Sequence, residues 1–274
     1  MSVGNGNMKI STFILDTFTS KQFHGNPTGV CFLPEDIEVN VMQSIASELN
    51  FPVTAFTRKI ENGTYGLRYF TPLTEITACG HATLATAAVI AKESQSDTIL
   101  FKTETDVSIQ TLVKDGLVTM LYPKYALQDY KVPDEFLESL GIANYEDIKY
   151  CPELESVFVE LLSPRQLRNV QPNFVNLVKS NPQIKEVVIT TDSDTAKYDY
   201  LLRSFCPWIG IDEDPVTGSI HSALAPYWGE RLNKKRLNAF QASKRGGEFL
   251  LTIASEQVLI SGTYVLLMEG KLTI

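Results

Sequence analysis

Two stretches of the chain repeat each other, and that repeat limits the architectures open to it. The first runs Arg68-Tyr69-Phe70-Thr71-Pro72, then Glu75 to Gly80, then the apolar run Ala82 to Ala91. The second runs Arg203-Ser204-Phe205-Cys206-Pro207, then Asp212-Glu213-Asp214, Gly218 and Ser222 to Ala225. Each reads Arg-x-Phe-x-Pro, acid, glycine, alanine-rich helix. Gly80 and Gly218 are 138 positions apart in a chain of 274 residues, so one half-length unit has been doubled rather than a short repeat stacked. Two similar lobes are expected. If they pack about a pseudo-twofold axis, the two glycine-led helix starts face one shared cleft. Each start offers free backbone N–H groups and the positive end of a helix dipole, a setting that favours an anion, most simply a carboxylate.

Composition narrows the field. With 44% hydrophobic and 20% charged residues the chain can bury a sizeable core, and its length suits two domains or one large one. A formal charge of −8 argues against nucleic acid, whose nonspecific binding needs clustered Lys and Arg. The one basic cluster, Lys234-Lys235-Arg236, reads as a solvated helix end. Cys31, Cys79, Cys151 and Cys206 lie far apart without a Cys-x-x-Cys, and His24, His81 and His221 have no ligand spacing. No disulfide framework or metal site is therefore expected. No apolar stretch approaches the roughly 20 residues that cross a bilayer. Met1 to Asn7 is rich in Gly and Asn without a basic start, a frayed tail rather than a signal peptide, and a reducing cytoplasm is the default location.

The pattern along the chain predicts an α+β fold. Strands are expected at Met8 to Asp16 and Gly29 to Leu33, separated by a polar loop ending Gly25-Asn26-Pro27. A helix from Pro34 follows, with Val39, Met42, Ile45, Ala46 and Leu49 at helical spacing, stopping near Asn50 ahead of Pro52. Val53 to Arg58 and Tyr65 to Phe70 form a hairpin about Glu61-Asn62-Gly63, and a buried helix runs from Gly80 to about Glu93. Strands at about 98–103, 107–113 and 117–122 close the first lobe, with 123–133 as linker. In the second lobe a helix is expected at 133–140, a strand at 156–162, a helical turn at 163–170 and a strand at 187–191. The second repeat then supplies a helix from Gly218 to about Leu232, followed by strands at 238–243, 247–254, 257–261 and 262–268. The lobes are thus 8–122 and 123–261, with the last strand, about 262–274, available to join the first. Each is expected as a curved, mostly antiparallel sheet or barrel around one central helix.

Several residues carry chemistry in this frame. His81 sits in a helix first turn, where the dipole disfavours its protonated form; it either binds and relays a proton as a neutral imidazole or is tied up in structure. Of Asp212, Glu213 and Asp214, more acids than one N-cap needs, Asp214 is nearest the Gly218 turn. Ser219 either caps or donates to a carboxylate. His221 reads as a packed histidine, and Arg245-Gly246-Gly247 as a hairpin turn or a charge beside an acidic ligand.

Taken together these residues resemble the PhzF-like family of phenazine biosynthesis, whose fold is that of diaminopimelate epimerase. The resemblance covers most of the chain. It rests on Asp16-Thr17-Phe18 with Phe23-x-Gly25-Asn26-Pro27, on Phe70-Thr71-Pro72 with Glu75 and Cys79 to Ala85, on Glu213 to Ser219, and on Gln241-Ala242-Ser243-x-Arg245-Gly246-Gly247. It implies two pseudo-symmetric lobes, a site in the cleft between them, acid–base isomerase activity without a cofactor, and a homodimer. Carried over residue by residue, it implies that Gly80, His81, Asp214, Gly218 and Ser219 hold the substrate. In the family a glutamate in Asn-x-Ser-Glu-Thr-x-Phe shuttles the proton; here the segment reads Asn50-Phe51-Pro52-Val53-Thr54-Ala55-Phe56, so Val53 stands at that place, and Thr77 stands where the family often has aspartate. A two-thiol racemase is excluded, because Cys79 is matched in the second repeat by Thr217. The chemistry then falls to His81 and Asp214 as the catalytic pair. The expectation is an isomerase or epimerase working by proton transfer on a small carboxylate; the alternative is a catalytically silent relative that binds a small molecule or regulates.

Overall fold

The computed structural model describes residues 8–94, 97–105 and 108–274; the stretch expected as a frayed tail lies outside them. The chain divides into two compact units, Met1–Met120 with Gly262–Ile274, and Leu121–Ser261.

The first unit contains β1 (Lys9–Thr17), β2 (Asn26–Phe32), α1 (Val39–Leu49), β3 (Val53–Glu61), β4 (Thr64–Phe70), β5 (Glu75–Ile76), α2 (Gly80–Ser94), β6 (Thr98–Thr103), β7 (Ser108–Lys114) and β8 (Leu117–Pro123). The strand order is β1-β2-β3-β4-β6-β7-β8 followed by the C-terminal strand, Gln257–Thr273, which returns to pair with β1 and closes an eight-stranded barrel. The pairs β2–β3 and β4–β6 are parallel, and parallel neighbours need a crossover; α1 and α2 are those crossovers. Outside, α1 lays Met42, Ile45 and Ala46 on Ile10, Leu33, Phe56 and Phe70. It begins at Val39, later than the sequence pattern suggested, and ends where Asn50 turns left-handed and returns its N–H to Ala46.

Within the barrel, α2 packs against β1, β2, β3, β6 and β7. Every residue from His81 to Ile90 is buried, so no face of this helix is polar. Small side chains keep it narrow enough to be enclosed, and its threonines satisfy themselves: Thr83 and Thr86 donate to the carbonyls of Cys79 and Ala82 four residues back. Tyr69 on β4 meets the Thr83 hydroxyl at 2.6 Å.

The second unit adds β9 (Gln128–Asp129), α3 (Asp134–Leu140), β10 (Asp147–Cys151), β11 (Ser156–Glu160), α4 (Pro164–Asn169), α5 (Phe174–Ser180), β12 (Glu186–Asp192), β13 (Tyr200–Phe205), α6 (His221–Leu232), β14 (Arg236–Gln241) and β15 (Gly247–Ile253), and the start of the C-terminal strand, β16. Their order is β16-β15-β14-β13-β12-β11-β10-β9. Again two pairs are parallel, β11–β12 and β13–β14. Helices α4 and α5 cross over between the first pair and α6 between the second, so each unit repeats the other's connectivity. One sheet face buries Val157, Val159, Val187, Ile189 and Phe205 with α3, α4 and α5. The other faces α6, whose Trp228 donates to Thr190 and stacks on Tyr200.

The structure corrects four expectations. The segment read as a linker carries β9, held in the sheet by β10; neither β10 nor α5 stood out, because both are short and mix polar with apolar residues. The two last strands are one, since Gly262 lacks the side chain that would meet the Phe18 ring at 2.4 Å, and the strand runs on past it. The second repeat's helix starts at His221 rather than Gly218, with Gly218 and Ser219 in the turn ahead of it. Inside α6, Pro226 has no N–H for the Ser222 carbonyl, and Tyr125 donates to that carbonyl instead at 3.0 Å. Among the described residues no helix is long and apolar enough to cross a membrane.

Two measurements test this packing. Gly262→Ala forces a methyl against Phe18 and Leu84 and is expected to lower stability by about 1–3 kcal/mol, whereas Gly270→Ala, with open space around it, changes urea unfolding by no more than about 0.5 kcal/mol. His221 is fully buried, with Nδ1 2.6 Å from the Tyr200 hydroxyl, and burial pushes it down to about 3. The unfolded ring takes up a proton below about 6.5 and the folded ring does not, so this stabilisation is present at neutral pH and lost as pH falls from 6.5 towards 3. The stability gap between the parent and His221→Gln is therefore expected to narrow by up to about 1.4 kcal/mol per pH unit below 6.5; a gap that stays constant from pH 7 to 4.5 contradicts a neutral buried ring.

Candidate functional site

In the first unit the loop between β1 and β2 is built to aim one side chain. Asp16 accepts the Phe23 N–H at 2.6 Å, Phe23 and Gly25 both have positive φ, and a Cβ on Gly25 would lie 2.0 Å from the Thr17 carbonyl oxygen. Only glycine fits there. The next residue, Asn26, is fully buried, and its Nδ2 lies 3.1 Å from Nδ1 of His81. An amide nitrogen donates, so Nδ1 accepts and the neutral imidazole carries its proton on Nε2. His81 is 7% exposed, and burial pushes it down to about 3. The ring is thus neutral, as its place in a helix first turn suggested, with burial as the cause. The Cys79 sulfur sits 3.4 Å from both ring nitrogens, and Gly80 opens α2 between them. Val53 begins β3 with 3% exposure and presents no proton.

In the second unit Asp214 lies in the loop ahead of α6. Its Oδ2 accepts the Thr217 hydroxyl at 2.6 Å and its N–H donates to Ser204 O at 3.1 Å. The buried Gln241 side chain spans this loop, donating to Asp214 O at 2.7 Å and accepting from Thr217 N at 2.8 Å. Ser243 donates to Pro215 O and accepts from Gly246 N. A Cβ on Gly247 would lie 2.4 Å from a Val216 methyl carbon. The Gln241 to Gly247 motif is therefore a cradle for the 214–217 loop. Gly218 O and Ser219 O accept from His221 N and Ser222 N.

Both repeats share one more device. Arg68 Nε and Nη2 donate to Glu75, each at 2.8 Å, and its guanidinium lies 5.6 Å from the Phe70 ring centre. Arg203 makes the same fork on Glu213, at 2.8 and 3.0 Å, and lies 4.8 Å from Phe205. Such bidentate pairs fix direction as well as distance. The three acids read together from the sequence thus divide: Glu213 holds the arginine, Asp214 faces Thr217, and Asp212 is exposed. His221 packs 4.1 Å from Phe249 inside the core. A cavity of about 1140 Å³ lies in the second unit beside Tyr227, Arg231, Lys124 and Lys235, but none of Asp214, Gly218 and Ser219 lines it.

Sequence reasoning quoted Asn26 and Gln241 as motif letters without giving them work. Their partners, His81 and Asp214, are 55 and 27 residues away, beyond any local periodicity. The signal that pointed to them was their place in the motifs.

Known proteins resemble this chain over nearly its whole length. The family model described as phenazine biosynthesis-like protein matches residues 15–270. A phenazine biosynthesis-like domain-containing protein of Bos taurus is 37% identical, over 97% of this chain and all of its own length. An uncharacterized isomerase of Halalkalibacterium halodurans is 36% identical, over 97% of this chain and 99% of its own. The crystal structure of a phenazine biosynthesis PhzC/PhzF protein from Clostridium difficile superposes with a TM-score of 0.89 at 35% identity, covering 97% of this chain and all of that one. By the span of the family match and these identities over nearly full length, the chain belongs to the phenazine biosynthesis-like PhzC–PhzF family.

Proposed function

We propose that this chain is a cofactor-independent isomerase that shifts a proton on a small carboxylate, with Gly80, His81, Asp214, Gly218 and Ser219 as the residues that hold it. The observation that carries this reading is the buried contact between Asn26 and His81, which leaves a neutral ring with Nε2–H as a donor. Relatives named as isomerases support the reaction class. The protein works in the cytoplasm as a homodimer in the same reading.

The two groups divide the labour. Protonating a ring held near 3 costs about 5 kcal/mol at pH 7, so His81 serves as a hydrogen-bond donor to a ligand oxygen rather than as the base. Asp214, oriented by Thr217, is the proton carrier: a C–H bond of the ligand breaks, its proton goes to the Asp214 carboxylate, and its electron pair enters the ligand's conjugated system. The same proton then returns to a different carbon, regenerating the carboxylate. Anion binding is helped by backbone N–H groups at the α2 start. A second reading, a binding or regulatory protein without turnover, is favoured by one observation: the position where the resemblance places the family's glutamate holds the buried, apolar Val53.

A thermal-shift screen with small cyclic and amino carboxylates is expected to find a stabilising ligand, with about 2.7 kcal/mol gained at a hundredfold excess over Kd; no stabilisation by any of them overturns both readings. With such a ligand in D2O, NMR is expected to show deuterium entering it, at a rate about 10²–10⁴-fold lower in Asp214→Asn. Binding without any deuterium in the parent leaves the binding reading alone. Val53→Glu is expected to raise that exchange rate, and no gain with binding intact argues against a proton role at that position.

A further inference from the structure

Strands β1 and β2 are joined by a loop, residues 18–25, that the proposed chemistry does not use. Asp16 and Thr17 face Pro27 and Asn26 across the strand pair, and the Thr17 hydroxyl donates to the Asn26 carbonyl at 3.0 Å. Asn26 thus leaves the loop with its backbone tied to β1 and its amide 3.1 Å from Nδ1 of His81. Just before it, Gly25 passes so near the Thr17 carbonyl and the Thr19 methyl that no Cβ fits. The path into Asn26 is therefore narrow, and the residues ahead of Gly25 set it.

Two bulky residues of this loop have positive φ, Phe18 at 57° and Phe23 at 66°, a conformation such side chains rarely adopt and that persists only where the surroundings impose it. Packing imposes it on the first. Phe18 is fully buried, and a Cβ at Gly262 would meet its ring at 2.4 Å. Packing does little for the second, whose ring is 73% exposed. Phe23 is held through its backbone instead: its N–H donates to Oδ2 of Asp16 at 2.6 Å. Asp16 is itself fully buried on β1, where a carboxyl is costly unless it is hydrogen-bonded. This one closes a strained turn three residues ahead of Asn26.

We propose that Asp16 is a positioning residue for His81: by fixing the left-handed turn at Phe23 it keeps the Asn26 amide on Nδ1, and so keeps the ring neutral and a donor through Nε2. An N–H donating to Nδ1 bonds only the neutral ring and disfavours its protonation. Without the Asp16 bond Phe23 relaxes to negative φ, the chain into Asn26 shifts, and the amide leaves the ring. His81 then opens to water and to a proton. The ligand half of this role rests on the reading of His81 as a donor to a bound carboxylate.

Two measurements on the full chain test it, the first without ligand. The His81 ring proton signal, identified by its loss in His81→Gln, is followed by NMR from pH 7.5 to 4.5. The parent ring, pushed down to about 3 by burial, is expected to stay silent over this range. In Asp16→Ala it is expected to titrate inside the range, towards the ordinary value of about 6.5. In Asp16→Asn, whose side-chain oxygen still accepts the Phe23 N–H, it is expected to stay silent. A silent ring in Asp16→Ala overturns the proposal, since a residue that merely stabilises the fold leaves this titration alone. Phe23→Gly takes the left-handed turn without strain and is expected to draw the Asp16→Ala midpoint back down; an unmoved midpoint overturns the route through Phe23. If Asp16→Ala does not fold by itself, folding of the double variant supports that route and failure of both overturns it. The second measurement uses the carboxylate with the largest thermal shift in the parent. Its Kd is expected to rise on the order of tenfold in Asp16→Ala, the loss of one placed donor, and to hold in Asp16→Asn. An equal Kd in a protein whose ring titrates overturns the ligand half. If no carboxylate binds the parent, the reading of His81 fails and that half with it, while the titration still decides the hold of Asp16 on the ring.

Discussion

In each unit an arginine reaches from a strand to the loop that leads into a glycine turn, and the architecture depends on that fork. Arg68 ties β4 to Glu75 on the way to Gly80; Arg203 ties β13 to Glu213 on the way to Gly218. The two are chemically alike and differ in weight. Arg68 is 21% exposed and its glutamate 33%, so solvent screens the pair and its contribution stays near that of a surface bridge, up to about 1 kcal/mol. Arg203 is 12% exposed and also donates to the carbonyls of Leu167 and Val170, binding α4 and its C-terminal turn as well. Removing it strands three acceptors, each costing about 1–3 kcal/mol when left unpaired. The second copy of the motif thus holds a loop and a helix where the first holds a loop.

The central helices solve the same burial problem differently. α2 is enclosed because alanine and threonine make it thin and its hydroxyls bond backward along the helix. α6 keeps bulkier side chains, including Trp228, and its Pro226 frees a carbonyl that Tyr125 then fills. In both, a histidine near the first turn is buried and kept neutral, but with opposite uses. His221 is closed in by Tyr200 and Phe249 as core. His81 has one nitrogen engaged by Asn26, which fixes the tautomer and leaves the other nitrogen as a donor.

Electrostatics follow from which groups are left near Asp214. The chain has a net charge of −8, Arg203 and Lys185 are committed to Glu213 and Glu155, and the Asp214 loop is held by the Thr217 hydroxyl and the Gln241 amide. A second carboxyl, Glu186, is pushed up to about 7, by burial first and by the Asp214 charge after it. In the first unit, the place where a glutamate belongs by resemblance holds Val53, which is apolar and buried.

The sequence by itself determined the doubling of the fold, the two parallel crossovers' central helices, the Asn62-Gly63 hairpin and the turns at Gly80 and Gly218, because each of these is written in spacing over fewer than about fifteen residues or in an outright repeat. It also placed His81 and Asp214 at those turns. Tertiary structure alone decided what these residues touch. Asn26 at the start of β2 meets His81 in the first turn of α2, Gln241 closes on Asp214 from β14, and Glu186 finds Ser204 only when β12 and β13 pair. It also decided that 257–273 is one strand, since the clearance at Gly262 depends on where Phe18 packs, and that α6 starts after Ser219. Such contacts carry no local period: a side chain's protonation and orientation are set by neighbours brought in from elsewhere in the chain, and only the folded packing supplies them.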